Sequence, residues 1–188
     1  LSDMTLEELW ALFPIVLREH DPRYAGWFEE EAKHIRRCAG DAPLFRLSQI
    51  GSSAVPGLLA KPIVDILLEA DGDLSGLSDR LQRDGWVLMS RAKTPAGPKL
   101  SFNKGYTPEG FAQRVFHLHV RRPGDWDELY FRDYLRERPD ISAAYGRLKQ
   151  ELWKAYEHDR DGYTAAKTEF VKRYTAEARN CYPGRYQP

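Results

Sequence analysis

The chain has 188 residues, and its 28 basic and 28 acidic side chains give a formal net charge of zero. This length suits one domain with a substantial core, and a content of 42% hydrophobic and 30% charged residues is typical of a soluble globular protein. Because the charge is balanced, the chain lacks the one-sided positive field of proteins that grip nucleic acid through its phosphates, and we expect no nucleic-acid partner.

The first third of the chain reads as two helices followed by one strand. Apolar residues recur at helical spacing in two segments and alternate with polar residues in a third. These patterns predict helices over residues 2–13 and 22–39 and a strand over residues 44–50. Ser2, Asp3 or Thr5 can cap the first helix, since each side chain accepts a hydrogen bond from the first turn.

The middle third contains strands and one helix. Residues 50–69 read IGSSAVPGLLAKPIVDILLE, a Gly-Ser-Ser turn and an irregular loop before a strongly apolar run. A run that is apolar on both faces is typical of a central strand covered on both sides. The patterns predict strands over residues 63–69, 86–90, 100–104 and 114–121 and a helix over residues 74–83. The segment GYTPEG has turn chemistry and is interpreted as a hairpin connection.

The last third turns helical. Apolar spacing predicts helices over residues 125–137, 141–158 and 163–178, with breaks at Pro139 and Gly162. Residues 181–188 form a tail that we expect to be frayed or draped on the surface. Strands interleaved with helices, followed by a helical block, predict a single α+β domain over residues 1–188, with one mixed sheet flanked by helices.

Cysteine content and the amino-terminal segment bear on the compartment. The two cysteines, Cys38 and Cys181, lie far apart, and so few in a chain of this size indicate unpaired thiols in a reducing compartment. No run approaches the ~20 apolar residues that span a bilayer. The start, LSDMTLEELW, is acidic and lacks the basic region of a secretion signal. We therefore expect a cytoplasmic protein without a membrane partner.

Three polar side chains on apolar strands are candidates for chemistry. Strand alternation places Asp65 and Glu69 on one side of their strand, and His117 and His119 on one side of another. If these strands are neighbours, Asp65 and the two histidines share a pocket. One carboxylate and two imidazoles suit a divalent metal, phosphate contact or acid–base work. The alternatives are a paired structural carboxylate and two ordinary, half-buried histidines.

Anion-binding groups are indicated in three places. The turn Gly51, Ser52 and Ser53 can present backbone N–H groups and hydroxyls to a phosphate, and Lys61 faces either the same site or solvent. Lys149 and Lys167 each follow a tyrosine by four residues, which puts each pair on one helix face. These lysines either bind an anion beside stacking aromatics or lie in solvent beside packed tyrosines, the simpler interpretation.

The segment IGSSAVPGLLAKPIVDILLE resembles the GrpB family, and SFNKGYTPEGFA, FHLHV, ELYFRDYLRERP, YGRLKQELW and DRDGYTAAKTEFV extend the resemblance over residues 12–180. It implies a nucleotidyltransferase-like fold, in which the Gly-Ser turn cradles a triphosphate and strand carboxylates hold Mg²⁺. It implies no established activity, because the family is largely uncharacterised; some relatives are fused to a dephospho-CoA kinase domain.

The chain departs from the nucleotidyltransferase pattern at one point. Active members place two carboxylates two residues apart on the strand after the turn, whereas Ile63 and Leu67 flank Asp65 at that spacing. Glu69 lies ~13 Å farther along the strand, too far for a centre whose metals lie ~4 Å apart. His117 or His119 can stand in for the third carboxylate. A one-metal site, with Mg or Mn, or a metal-free anion pocket therefore fits better.

Three functions are open at this point. The first is an enzyme that handles a nucleotide or another phosphorylated small molecule by nucleotidyl or phosphoryl transfer, with Asp65 and His119 as catalytic groups. The second is a catalytically degenerate module that binds such a ligand or a protein. The third makes Asp65, His117 and His119 a transition-metal triad that catalyses hydrolysis or another reaction.

Overall fold

In the computed structural model, which describes residues 3–188, five strands form one sheet. The strands are β1 (Leu44–Ile50), β2 (Val64–Ala70), β3 (Val87–Thr94), β4 (Gly97–Thr107) and β5 (Gly110–Arg121). Their order across the sheet is β1-β2-β5-β4-β3, with β2 and β5 parallel and the other neighbours antiparallel. The mixed sheet expected from the sequence is confirmed.

Six α-helices flank the sheet. They are α1 (Leu6–Leu12), α2 (Arg23–Ala39), α3 (Leu74–Arg83), α4 (Asp127–Glu137), α5 (Pro139–Ala155) and α6 (Arg160–Cys181), and a single 3-10 turn covers Ser52–Ala54. Thr5 caps α1, because its hydroxyl accepts from the Glu8 N–H while the Glu8 carboxylate accepts from the Thr5 N–H. The alternative cap at Ser2 lies outside the described residues. The helical block after the last strand is confirmed.

The two faces of the sheet have different covers. Helices α2 and α3 bury the face that carries Val64, Ile66 and Leu118, which belong to the main hydrophobic core. On the other face, Leu67 packs in a smaller cluster with Leu129 of α4. The remainder of this second face carries polar side chains, and it is there that the candidate residues lie.

The strands of the β3–β5 meander are longer than the sequence patterns predict. The expected strands over residues 100–104 and 114–121 are the middle of β4 and the end of β5, and GYT of the GYTPEG segment is paired in β4 rather than lying in a loop. Gly162 does not break the helices. It lies in the first turn of α6, where its N–H donates to the capping Asp159 carboxylate at 2.8 Å. A Cβ at Gly162 would clash with that carboxylate, so the residue serves the cap.

The carboxy-terminal tail is draped on the surface, the second of the two expectations for it, and it is anchored there. The Tyr186 N–H donates to the Tyr130 hydroxyl at 3.2 Å, and the Tyr186 hydroxyl donates to the Asp133 carboxylate. The Tyr186 carbonyl accepts from Arg46 of β1 at 3.3 Å. These bonds tie residues at the end of the chain to α4 and to the edge of the sheet.

Both cysteines, Cys38 and Cys181, are free thiols, as the sequence predicts. Cys38 is half-buried and donates to the carbonyl of Arg80 at 3.2 Å, whereas Cys181 is exposed. Across residues 3–188, none of the helices combines the length and the apolar character needed to cross a membrane.

Candidate functional site

Asp65 and two histidines meet at the parallel junction of β2 and β5. The strand register pairs Asp65 with His117 and Leu67 with His119, so the three polar side chains share one face of the sheet. The Asp65 Oδ1 atom lies 3.4 Å from His117 Nδ1 and 3.6 Å from His119 Nε2. The strands are therefore neighbours, as the hypothesis of a shared pocket requires.

Tyr106 extends this cluster, and the sequence analysis missed it. Its hydroxyl lies 2.8 Å from His117 Nε2, and its ring stacks on the imidazole with centroids 5.9 Å apart. Arg160, at the start of α6, donates to the same hydroxyl at 3.4 Å. Because the turn chemistry of GYTPEG suggested a loop, Tyr106 was not placed on the face of His117.

The Asp65 carboxylate lies directly against the Gly-Ser turn. Burial alone raises the pKa of Asp65, but hydrogen bonds and charge from His117 and His119 outweigh it and hold that pKa below its usual range. Gly51 has a φ of +73°, and a Cβ added there would lie 2.8 Å from Asp65 Oδ2. Glycine at position 51 thus allows the turn to approach the ionised carboxylate.

The three predicted lysines converge on the same place. Lys149 is only 2% exposed, and its ammonium group donates to Ser52 Oγ at 2.9 Å and to the Leu59 carbonyl. Lys167 and Lys61 lie over the ring of Tyr163, at 4.2 and 5.8 Å from its centroid. The simpler interpretation of solvated lysines is wrong for Lys149, because α5 turns that side chain towards the Gly-Ser turn.

The pKa values of these three lysines are lowered by their surroundings. Burial, together with Lys167 and Lys61, lowers the pKa of Lys149 to about 6. Burial and the charge of Arg160 lower the pKa of Lys61 to about 8, against the opposing effect of Asp65. Burial and Lys61 lower the pKa of Lys167 to about 8 as well. Each ammonium group therefore lacks sufficient negative charge nearby, which an anionic ligand would supply.

A cavity of about 180 Å³, here called the lysine pocket, holds these groups together. Its lining comprises Gly51, Ser52, Ser53, Ala60, Lys61, Ile63, Asp65, His117, Tyr145, Lys149, Tyr163 and Lys167. The hydroxyls of Ser53 and Tyr163 are fully buried without a hydrogen-bond partner. A buried, unpaired polar group costs about 1–3 kcal/mol, so both hydroxyls keep unused hydrogen-bonding capacity beside the cavity.

The lining does not fit a metal held by the protein. His117 uses one nitrogen towards Asp65 and the other towards Tyr106, and Ile63 lines the pocket where a second carboxylate would be needed. Within residues 3–188, no group of three or more His, Cys, Asp and Glu side chains is arranged to hold a metal ion. Asp65, His117 and His119, the metal set expected from the sequence, contact one another here, with Asp65 Oδ1 at 3.4 and 3.6 Å from the two imidazoles.

Glu69 lies on the same face of β2 but is a structural group. It is fully buried, and both of its carboxylate oxygens accept from Arg46, at 2.5 and 2.9 Å. The N–H of Gly124 donates to it at 3.0 Å. Its charge is satisfied within the fold by these three hydrogen bonds.

Comparisons with known proteins give a consistent family assignment. A family model described as GrpB protein matches residues 14–177. A UPF0157 protein of Pseudomonas aeruginosa is 37% identical over 161 residues, which are 84% of this chain and 65% of that protein, so the chain spans just under two thirds of this relative.

Solved structures show the same likeness. The crystal structure of conserved protein GrpB from Enterococcus faecalis is similar at 29% identity and a TM-score of 0.77, over 89% of this chain and 99% of that one. A weaker likeness, at 10% identity and a TM-score of 0.48, is to the Cid1 poly(U) polymerase, over 77% of this chain and 43% of that one.

Proposed function

The chain belongs to the GrpB family, and we propose that its lysine pocket binds the phosphate groups of a small phosphorylated molecule without a metal held by the protein. One observation carries this proposal. The buried amino group of Lys149, with Lys61 and Lys167, lines one cavity with Ser53 and Tyr163, whose hydroxyls have no hydrogen-bond partner. Phosphate oxygens are hydrogen-bond acceptors with negative charge, so they satisfy both features.

The charge balance of the pocket supports an anion rather than a cation. Three lysines face one carboxylate, Asp65, and that carboxylate is already engaged by two imidazoles. A phosphate dianion would offset the lysine charges, and their pKa values would rise on binding. Burial raises the pKa of Tyr163, so its hydroxyl stays protonated and can donate to the ligand.

Asp65 and His119 are the groups proposed for a transfer reaction. The His119 side chain is 31% exposed, and its Nε2 points towards the Asp65 carboxylate. Asp65 orients the imidazole, a group that can accept and return a proton. His119 would take the proton of an acceptor hydroxyl as that oxygen bonds to phosphorus and the leaving oxygen departs. Transfer of a phosphoryl or nucleotidyl group is consistent with this arrangement.

A binding module without turnover is the second candidate. The observation that favours it is Ile63, a buried apolar residue directly before β2, at the spacing from Asp65 where a second carboxylate would be needed. Without that carboxylate, the pocket would bind the phosphorylated ligand and leave it unchanged. Product analysis separates the two candidates: ligand that binds at the lysine pocket and is converted only when His119 is intact supports the enzyme.

Calorimetric titration with inorganic pyrophosphate in excess EDTA tests the binding proposal. Lys149→Gln removes the buried ammonium group, and Lys154→Gln makes the same change at an exposed position of the same helix. We expect wild type and K154Q to bind within twofold of each other and K149Q to bind at least tenfold more weakly. Binding that requires added Mg²⁺, or equal binding by K149Q, would contradict the proposal.

A further inference from the structure

A second cavity, here called the α4–α6 groove, adjoins the lysine pocket. It has a volume of about 490 Å³ and lies between α4 and α6. Its lining comprises Gly51, Asp127, Glu128, Phe131, Val171, Lys172, Thr175, Ala176 and Arg179. Gly51 lines both cavities, so the two meet at the turn that touches Asp65.

Helix α6 forms a continuous wall along both cavities. Tyr163 and Lys167 line the lysine pocket, while Val171 and Thr175 line the α4–α6 groove. These four residues follow one another at intervals of four, so they lie on one helix face. With a rise of 1.5 Å per residue, the step from Lys167 to Val171 is only about 6 Å. A single small molecule can therefore contact both parts.

Three of the four charged residues that line the groove are paired within the fold, and the fourth, Lys172, is exposed. Arg179 donates to the Asp127 carboxylate at 2.6 Å, and Glu128 accepts from Arg121 at 2.6 Å. What remains along the wall is mainly apolar, with Phe131 and Val171 as its largest apolar side chains. The groove therefore suits a neutral organic group, in contrast to the positively charged lysine pocket.

The volumes of the two cavities indicate which part of a ligand each can hold. Sites for small organic molecules usually have volumes of ~300–1,000 Å³. The lysine pocket, at about 180 Å³, is below this range, and the groove, at about 490 Å³, lies within it. Two other large cavities, beside Pro139 and beside Trp27, share no lining residue with the lysine pocket.

We propose that the ligand is a phosphate ester whose phosphate occupies the lysine pocket and whose neutral, largely apolar organic group occupies the α4–α6 groove. This inference rests on the proposed function, because it takes the lysine pocket as the phosphate site. The ester linkage would cross the surface of Gly51, beside the Asp65 carboxylate, whose Oδ1 lies 3.6 Å from His119 Nε2. The cluster of Asp65 and His119 thus lies where the two parts of the ligand are joined.

Titration of the full chain with inorganic phosphate and with phenyl phosphate tests the inference. Both probes carry a phosphate, and only the second carries an apolar group. Ala176→Leu narrows the groove, and Ala165→Leu makes the same change at an exposed position of α6 outside both linings. We expect wild type and A165L to bind phenyl phosphate about tenfold more tightly than inorganic phosphate, and A176L to lose most of that gain.

The outcomes separate the two proposals. A176L should bind inorganic phosphate within twofold of wild type, because the lysine pocket is untouched. If phenyl phosphate gains nothing over inorganic phosphate, or if A176L keeps the full gain, the groove is not the site of the organic group, while the phosphate site stands. If neither probe binds wild type, the proposed function itself fails.

Discussion

Asp65 and Glu69 lie on the same face of the same strand, yet the fold treats their carboxylates in opposite ways. Glu69 is fully buried, paired with Arg46 and bonded by the Gly124 N–H. The Asp65 side chain is 28% exposed, contacts two histidines and faces three lysines that it cannot neutralise. The Glu69 carboxylate completes a structural network, whereas Asp65 lies in a site whose lysines outnumber its carboxylates.

The comparison shows how a functional group can be separated from a structural one in this fold. Desolvation is costly for both carboxylates, and fold contacts offset it at both, through Arg46 at Glu69 and through two histidines at Asp65. Around Asp65, buried lysines and unpartnered hydroxyls persist in the pocket. A ligand that pairs with these lysines and hydroxyls would gain binding free energy from them. The paired network of Glu69 contributes to stability alone.

The largest expected effect is a loss of stability when the structural carboxylate, Glu69, is replaced. Glu69→Gln should lower the free energy of unfolding by about 3–5 kcal/mol, because it leaves the Arg46 guanidinium partly buried without its carboxylate. Asp65→Asn should cost less than this, since the Asp65 side chain is 28% exposed and solvent replaces part of its contacts with the histidines. Urea denaturation of both variants at neutral pH gives the two values. Equal losses would mean that Asp65 is as structural as Glu69.

A smaller effect is the pH dependence of stability that Lys149 causes. The pKa of Lys149 is lowered to about 6 in the folded protein, from an ordinary value of 10.5. Between these values the unfolded state binds the proton and the folded state does not, so stability without ligand rises with pH. Urea denaturation at pH 6.5 and 8.0 should show a rise of about 1–2 kcal/mol in wild type that is absent from Lys149→Met.

The difference in pH dependence between wild type and K149M separates the contribution of Lys149 from that of other titrating groups. Lys61 and Lys167 have pKa values of about 8, so their contribution to the slope falls mainly above that pH. A wild-type slope identical to that of K149M would show that the pKa of Lys149 is not lowered in the ligand-free fold. The distinction between Lys149 and the paired Arg46 would then be lost.

Much of the fold could be predicted, because local patterns determine it. Alternation alone put Asp65 opposite Val64 and His117 opposite Phe116, and the structure confirms both faces. The parallel contact of β2 with β5 could only be assumed, since a long segment with two further strands separates them in the chain. Spacing also put Lys149 on the face of Tyr145, but not inside a cavity.

The rest of the site depends on packing between distant elements. The burial of Lys149 results from the way α5 and α6 close over the Gly-Ser turn, which no local pattern encodes. Tyr106 was hidden by the turn chemistry of its segment, although it ends a paired strand. The unpartnered hydroxyls of Ser53 and Tyr163 are invisible in a sequence, because the lack of a partner is a property of the folded cavity.

The smallest effect compares two buried serines, one in each kind of environment. Ser78 is fully buried, and its hydroxyl accepts from Gln82 and Arg91, each at 3.3 Å. Ser53 is 3% exposed, and its hydroxyl has no partner. Ser78→Ala should therefore lower the free energy of unfolding by about 1 kcal/mol, whereas Ser53→Ala should leave it unchanged or raise it by up to about 1 kcal/mol.

The affinity for pyrophosphate should respond in the reverse order. It should fall several-fold in S53A and stay at the wild-type value in S78A. A loss of stability in S53A as large as that in S78A would show that the Ser53 hydroxyl is satisfied in the ligand-free protein, and it would remove one of the two hydroxyls that assign the lysine pocket to an anion.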